Sequence, residues 1–305
     1  MDLKVTVVIV SFNTCDKLRR CLGCIEPEHE IVVVDNASHD GSAAMVRQEF
    51  PSVMLIESPT NLGFGRGNNL GCTRASGDLI LFLNSDAYAD PGAIRKLASV
   101  FADAGVVAVG GRQLNPDRSL QLSTANRLTL WSVFCEQTYL EKAFPTSSWL
   151  SPYWTTARLA VDLTPKKSPQ VMGATLMVRA SAGRPIEAFD ERYFLYCEDT
   201  DLCRRLEVHG TILYVPEATF VHDLGSSSAK DPSLGVIRYN RGKELYFAIH
   251  YGRLASLLCF ILDRLGAGLR VLAWSLRHLA SGFRNERARS QAKAFWRVLW
   301  AKPRG

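Results

Sequence analysis

Leu79-Ile80-Leu81-Phe82-Leu83-Asn84-Ser85-Asp86-Ala87 is the stretch whose reading decides the rest of the chain. Five apolar residues in a row, preceded by Gly77-Asp78 and followed by Asn84-Ser85-Asp86, predict a strand buried on both faces that ends in an acidic turn. Ligands of open α/β sheets sit in the crevice beyond the carboxyl ends of the strands, and a carboxylate there can hold a hard divalent cation against phosphate oxygens. Asp86 is that carboxylate. In isolation the same three polar residues would serve as a turn that caps a helix after Pro91, so the choice rests on the flanking sequence.

Upstream, Leu3 to Val10 is a β-branched run leading to Ser11-Phe12-Asn13, followed by a short helical segment from Asp16 to Ile25. A second strand, Ile31 to Val34, ends in Asp35-Asn36-Ala37-Ser38. A helix is expected after Asp40-Gly41-Ser42, a third strand at Val53 to Glu57, and another helix opening from the Gly/Asn-rich stretch Asn61 to Gly71. Strands alternating with helices over short connections imply parallel strands with helical crossovers on both faces. The polar ends at Ser11 to Asn13, Asp35 to Ser38 and Asn84 to Asp86 then face one crevice. An ionised Asp only accepts hydrogen bonds, so Asp35, two strands away from Asp86, suits the donor edge of a pyrimidine or a ribose hydroxyl. An Asx turn with a helix cap is the structural alternative for the same residues. The glycines at 63, 65, 67 and 71 do not fit G-x-G-x-x-G and follow the third strand, which argues against a dinucleotide fingerprint. They offer close backbone approach at a helix N-terminus, where free N–H groups favour anions.

Downstream, a helix is expected from Pro91 to about Ala102 and a strand at Val106 to Val109. From Gly110 to Pro169, aromatics such as Trp131, Phe134, Trp149 and Trp154 mix with Pro, Ser and Thr without a period. That pattern fits a lid or acceptor surface, or equally a peripheral subdomain with its own small core. Val171 to Val178 reads as a strand. In Tyr193-Phe194-Leu195-Tyr196-Cys197-Glu198-Asp199-Thr200-Asp201, three acids open a helix running to about His209, where they complement its dipole. The aromatic residues before them would partly desolvate a carboxylate and raise its pKa toward a general base's working range. Asp201 is placed to cap the helix or pair with Arg204 or Arg205. Strands at Thr211 to Val215 and Ala218 to Val221 lead to His222-Asp223-Leu224-Gly225, and Ser226 to Gly235 reads as a polar linker.

With 305 residues, 47% hydrophobic and 22% charged, the chain has room for one large α/β domain and an appendage. The run from Met1 to Asn13 is shorter than a signal-peptide core, lacks a small-residue cleavage site and reads as a first strand. The eight cysteines are scattered, and Cys21-Leu22-Gly23-Cys24 has no second pair to complete a zinc site, so reduced thiols and a cytoplasmic setting are expected. Charge is uneven: residues 236–305 carry fourteen Lys or Arg against Glu244, Asp263 and Glu286, a net of +11, which leaves −5 for residues 1–235 of the overall +6. Leu254 to Leu262 is too short to span a bilayer, and arginines recur among Leu, Val, Trp and Phe beyond it. This is the pattern of an amphipathic helix lying in an anionic membrane interface; a helical interface in a homo-oligomer is the competing reading. A nucleic-acid partner is not expected.

The segments VVIVSFN, VDNASHDGS, NLGFGRGNNLG, LFLNSDA, MGATLMVR, YFLYCEDTDLCRRL and VHDLG, in this order and spacing, resemble the inverting glycosyltransferases of family 2 with the GT-A fold, especially their bacterial rhamnosyltransferase-like branch. The resemblance covers roughly residues 4–225 and implies an open, mostly parallel α/β sheet flanked by helices. Residues 1–235 would form the transferase domain, with 1–110 holding the nucleotide sugar and 111–235 the acceptor, and 236–305 would be a basic helical tail. By position, it implies that Ser11, Asn13 and Asp35 hold the base and ribose of a nucleotide sugar, while Asn61, Gly63 and Asn69 shape the pocket. Asn84, Ser85 and Asp86 stand at the D-x-D position, with Asp86 and His222 as ligands of a divalent cation, Mg²⁺ or Mn²⁺, that bridges the diphosphate. Gly173 and Ala174 would flank the donor sugar. Asp199 of the Glu198-Asp199 pair would be the catalytic base. The sequence departs from the family pattern in having Asn84 first in the D-x-D variant and Asn68 where many relatives carry Arg, so the cation and diphosphate meet fewer charges.

The expected activity is therefore inverting transfer of a deoxyhexose, rhamnose from dTDP-rhamnose, onto a saccharide or lipid-linked saccharide in surface polysaccharide synthesis, at the inner face of the membrane. The same fold with UDP-GlcNAc, UDP-Gal or UDP-Glc is the alternative. A non-catalytic scaffold would have lost the acids, yet Asp86, Glu198, Asp199 and His222 are all present. A nicotinamide enzyme would carry its glycine fingerprint after Val10, where Ser11-Phe12-Asn13 stands instead.

Overall fold

The computed structural model describes residues 3–181, 184–185, 187–223 and 232–302. Leu224 and Gly225 of the VHDLG segment and residues 226–231 of the linker lie outside the described residues. Backbone contacts divide the chain into two units. The first comprises Met1–Arg127, Trp154–Phe194 and Glu198–Ser227; the second comprises Leu128–Tyr153, Leu195–Cys197 and Ser228–Gly305.

In chain order the chain begins β1 (Val5–Ser11), α1 (Cys15–Gly23), β2 (Glu30–Asp35), α2 (Ser42–Glu49), β3 (Met54–Glu57) and α3 (Phe64–Cys72). It continues with β4 (Leu79–Asn84), β5 (Ala87–Ala89), α4 (Ala93–Ser99), a 3-10 turn, β6 (Val106–Leu114), β7 (Thr124–Ala125), α5 (Leu130–Gln137), α6 (Leu140–Ala143) and α7 (Thr156–Leu159). Then come β8 (Lys166–Lys167), β9 (Gln170–Val171), β10 (Thr175–Ser181), β11 (Arg184–Pro185), α8 (Glu198–Leu206) and β12 (Thr211–His222). Three helices complete it, α9 (Pro232–Tyr251), α10 (Arg253–Ala280) and α11 (Glu286–Leu299).

The first unit is built on a large sheet in the order β3-β2-β1-β4-β10-β6-β12-β5. Its first four strands are parallel, as short helical crossovers require, and β6 pairs parallel with β12. The stretch Leu79 to Leu83 lies at the centre and is buried on both faces: Leu79, Leu81 and Leu83 pack with Val7 and Ile9, while Ile80 and Phe82 pack with Val8 and Leu176. Each such side chain contributes about 1.5–3 kcal/mol by leaving water. The register sets Ser11 opposite Asp35 and Val10 opposite Asn84, so the three polar strand ends lie side by side.

Two expectations about this unit change. Most of Asn61 to Gly71 is helix, and its glycines serve packing: a Cβ on Gly67 would sit 2.9 Å from Val10 Cγ1, and one on Gly71 2.4 Å from Val8 Cγ1. The glycines let α3 press onto β1. The strand expected at Val171 to Val178 is also broken. Gln170–Val171 pairs with β7, Met172-Gly173-Ala174 turns, and β10 enters the sheet antiparallel between β4 and β6. The long connection from β6, which passes through α5, α6, α7, β8 and β9, returns the chain in the opposite direction.

In the second unit α9, α10 and α11 pack together and α5 packs on α10. The aromatic stretch forms a small cluster of its own, with Trp131 4.7 Å from Trp149 and 5.3 Å from Phe134 between ring centres. Lys243 and Asp263, both fully buried, pair at 2.7 Å, and Gln137 donates to the same Asp263 oxygen at 3.0 Å. Arg270 closes the C-terminal end of α5 by donating to the Glu136 and Gln137 carbonyls. Residues 128–153, placed by the sequence with the acceptor half, thus share a core with the C-terminal helices. Among the described residues no helix is long and apolar enough to cross a membrane.

Candidate active site

At the ends of β1, β2 and β4 the polar side chains are wired together. Ser11 Oγ lies 2.9 Å from Thr14 Oγ1, which lies 2.9 Å from Ser85 Oγ, a buried hydroxyl chain joining the first and fourth strands. Asp35 is 4% exposed; its Oδ2 accepts from the Ser38 N–H, while its Oδ1 is buried with no hydrogen-bond partner. A buried acceptor without a donor is costly, and a ligand N–H or O–H would relieve it. The neighbouring Asn36 organises the turn after β3. Its amide donates to Asn61 Oδ1 and to the Gly63 carbonyl and accepts from the Leu62 N–H at 2.8 Å. Asn61 Oδ1 also accepts from the Gly63 N–H. Gly63 has φ of 82°, and a Cβ there would lie 2.2 Å from the Phe194 carbonyl oxygen, so no other residue fits.

The second group forms where β5 and β12 pair, with His222 opposite Ala87. His222 Nε2 lies 3.3 Å from Asp86 Oδ1 and 3.2 Å from Asn84 Nδ2. Its other ring nitrogen, Nδ1, is 2.8 Å from Gln121 Oε1. The Asp86 carbonyl accepts from the Asp223 N–H at 3.0 Å, which pins the loop that carries Asp86 to the end of β12.

The third group joins α8 to the turn before β10. Asp199 Oδ2 accepts from the Gly173 N–H at 2.8 Å, and its Oδ1 accepts from the Thr200 N–H at 2.8 Å. Thr200 in turn receives a hydrogen bond from Gln170, tying the helix to β9. Burial raises the Asp199 pKa above the usual carboxylate range, and the Gly173 and Thr200 N–H groups partly offset this. Glu198 is buried with Oε2 unpartnered, and burial, helped by the Asp199 charge, pushes its pKa up to about 8. Two adjacent carboxyls thereby differ: Glu198 Oε2 has no hydrogen-bond donor, whereas both Asp199 oxygens accept from backbone N–H groups, which favour its charged form. Asp201 is buried and paired with Arg205 at 2.9 Å, the structural role expected of it.

Not every expected residue turns toward these groups. Asn69 spends both ends of its amide on the backbone of Phe189, donating at 2.9 Å and accepting at 3.0 Å, so it clamps the segment before α8. Asn13, exposed and with φ of 55°, accepts from the His39 N–H and braces the turn after β2. Ala174 offers its carbonyl to the Asn84 N–H and so stitches the β4 end to the turn. Thr14, Asn36 and Gln121 are the site residues that the sequence did not single out. Asn36 lies inside VDNASHDGS and was within reach; Gln121 stands 101 residues from His222, and no local pattern marks it.

Known proteins similar to this chain identify its family. Over 263 residues, 79% of this chain and 83% of the relative, the sequence is 29% identical to N-acetylglucosaminyl-diphospho-decaprenol L-rhamnosyltransferase of Mycobacterium tuberculosis. The fold is similar to that of the mannosyltransferase PcManGT from Pyrobaculum calidifontis, solved with GDP-Man and Mn²⁺, with a TM-score of 0.56 at 15% identity over 98% of this chain and 88% of that one. It is also similar to GalNAc-T7, solved with UDP, GalNAc and Mn²⁺, with a TM-score of 0.54 at 14% identity over 81% of this chain and 51% of that one. The model of the family described as Glycosyl transferase family 2 matches residues 6–159. Half the length of the protein, including every strand end described above up to Asp86, lies in that match, and the chain belongs to glycosyl transferase family 2.

Proposed function

We propose that this glycosyltransferase moves rhamnose, from a dTDP-linked donor, onto a lipid-linked saccharide with inversion. The observation that carries the reading is the likeness, over four-fifths of both chains, to a rhamnosyltransferase whose name gives N-acetylglucosaminyl-diphospho-decaprenol as its acceptor. The site supplies the chemistry. Asp35 Oδ1 is a buried acceptor in need of a donor such as a pyrimidine N–H or a ribose hydroxyl. Asp86 Oδ1 and His222 Nε2, 3.3 Å apart, suit a divalent cation, since two cis ligands at about 2.1 Å are separated by about 3 Å in an octahedron. No cluster of three or more His, Cys, Asp or Glu side chains that could hold a metal occurs among the described residues, so diphosphate oxygens and water would complete the shell. Such a cation, Mg²⁺ or Mn²⁺, would act as the Lewis acid for the departing diphosphate.

Asp199 takes the proton of the acceptor hydroxyl as that oxygen attacks the anomeric carbon from the face opposite the leaving nucleoside diphosphate. The Gly173 and Thr200 N–H groups aim it and favour its charged form, and a protonated Glu198 would add no second charge to repel the developing alkoxide.

The C-terminal helices give this enzyme a membrane-facing surface in the same reading. On α10 and just beyond it, Leu254, Leu258, Ile261, Leu265, Leu269, Leu272, Leu276, Leu279 and Phe283 are all exposed. Apart from Leu257, which is exposed beside Leu258, they recur every three or four residues and so line one face of the helix. Lys243, Arg264 and Arg270 turn into the helical unit, whereas Arg253, Arg277, Arg284, Arg287, Arg289, Lys293 and Arg297 are exposed, with Glu286 as the exposed acid of the three counted in the tail. Basic residues flanking an exposed apolar stripe support docking on an anionic lipid surface.

The test of the activity supplies dTDP-rhamnose or UDP-GlcNAc, UDP-Gal and UDP-Glc with a lipid-linked GlcNAc acceptor and follows nucleoside diphosphate release, with Mg²⁺ or Mn²⁺ or with EDTA. Transfer from dTDP-rhamnose that EDTA abolishes is the expected result. Transfer only from a UDP sugar overturns the donor, and full activity in a metal-free preparation overturns the cation.

A further inference from the structure

The orientation of Gln121 is fixed by what its amide nitrogen does. Gln121 Nε2 donates to two oxygens, the His222 backbone carbonyl at 3.0 Å and Asn115 Oδ1 at 2.9 Å. Turning the amide over would set its oxygen against both of these acceptors, so the carboxamide is held with Oε1 toward the imidazole. Oε1 lies 2.8 Å from His222 Nδ1 and can only accept, so Nδ1 carries the ring proton. In the neutral ring Nε2 then presents a lone pair, and it presents it at 3.3 Å from Asp86 Oδ1. Asn84 Nδ2, 3.2 Å from the same Nε2, is a donor and fits that lone pair. Gln121 and His222 are both 5% exposed, so water has little access to exchange for these bonds.

We propose that Gln121 is a positioning residue for the cation: by holding the proton on Nδ1 it selects the one tautomer of His222 whose Nε2 can ligate a metal beside Asp86. A ligating histidine whose other ring nitrogen is anchored loses nothing on binding, whereas an unanchored ring must give up the Nε2–H form and its rotational freedom. The turn from Leu114 to Gln121, closed by the Gln121 N–H to Gln113 carbonyl bond at 2.9 Å, carries this amide from the end of β6 to the end of β12.

The inference rests on Asp86 and His222 as the cation's ligands and is tested on the full chain with Mn²⁺ alone. Long-range ¹H–¹⁵N correlation spectra of the histidine rings in the metal-free wild type should show His222 protonated at Nδ1; a ring protonated at Nε2 alone overturns the proposal, whatever any variant does. Mn²⁺ titration followed by electron paramagnetic resonance should show Gln121→Met binding about 10- to 100-fold more weakly than wild type, the usual cost of removing such an anchor, with a similar melting temperature in the absence of metal. Equal Mn²⁺ affinity in Gln121→Met and wild type also overturns it. His222→Ala separates the two levels. If that variant binds Mn²⁺ as tightly as wild type, the cation reading itself fails; if it loses binding while Gln121→Met does not, only the role of Gln121 falls.

Discussion

Asp199 Oδ2 sits 2.8 Å from the backbone nitrogen of Gly173, and the two residues come from different elements: one opens α8, the other turns the chain into β10. The closeness depends on glycine. A Cβ at position 173 would lie 3.1 Å from Asp199 Cβ and 3.3 Å from Phe64 Cε1, tighter than side chains normally pack. The carboxylate is therefore aimed by a backbone donor at a position where any side chain would push on Asp199 and Phe64.

Asp199→Asn should lower kcat by roughly 10²- to 10⁴-fold, the scale of a lost general base, while leaving binding of donor and Mn²⁺ nearly intact. Steady-state kinetics with a nucleotide-sugar titration decides. Near-normal turnover in Asp199→Asn together with collapse in Glu198→Gln would move the base to Glu198.

Glu198 gives a pH signature in stability. Its carboxyl, pushed up to about 8 by burial and the Asp199 charge, holds its proton more tightly folded than unfolded. The stability it contributes is therefore full below its ordinary value and is lost as pH rises through the folded one. Glu198→Gln removes that loss, so urea denaturation should find the variant gaining on wild type between about pH 5 and pH 8.5, by at most about 1.4 kcal/mol per pH unit. A difference between the two proteins that is constant across this range would show that the carboxyl is not held protonated.

Lys243 and Asp263 form a buried pair at 2.7 Å inside the helical unit. Lys243→Met strands a buried carboxylate and should cost about 3–5 kcal/mol, whereas Lys243→Met with Asp263→Leu should recover most of it. Denaturant melts of the wild type, both single variants and the double variant measure the coupling; additive losses would mean that the charges act independently.

Flotation with vesicles of phosphatidylglycerol tests the exposed stripe of α10. Wild type should float, and Leu265→Glu with Leu272→Glu should abolish flotation with the fold intact, since both side chains are exposed. Salt should weaken but not eliminate binding by wild type, because screening acts on the charges and not on the apolar face. Equal, negligible flotation of both proteins, with wild type self-associating in sedimentation and the variant monomeric, would assign the stripe to a second copy of the chain.

The strand at Leu79 to Leu83, its parallel neighbours and the convergence of Ser11, Asp35 and Asn84 were legible because a continuous apolar run and short crossovers leave one register and one direction. The acids opening α8 were legible for a similar local reason, the helix dipole. The resemblance set Asn69 beside the nucleotide, and only the tertiary structure shows its amide bonded to the backbone of Phe189 and Gly71 and Gly67 of α3 in close approach to Val8 and Val10. It also joined residues 128–153 to the C-terminal helices through Asp263, Gln137 and Arg270, and carried Gln121 to His222 across 101 residues. Periodicity and capping act within a few residues and are written in the chain. A buried hydrogen bond between distant segments follows from desolvation, which demands a partner for each polar group but does not say which, and only the packed fold makes that choice.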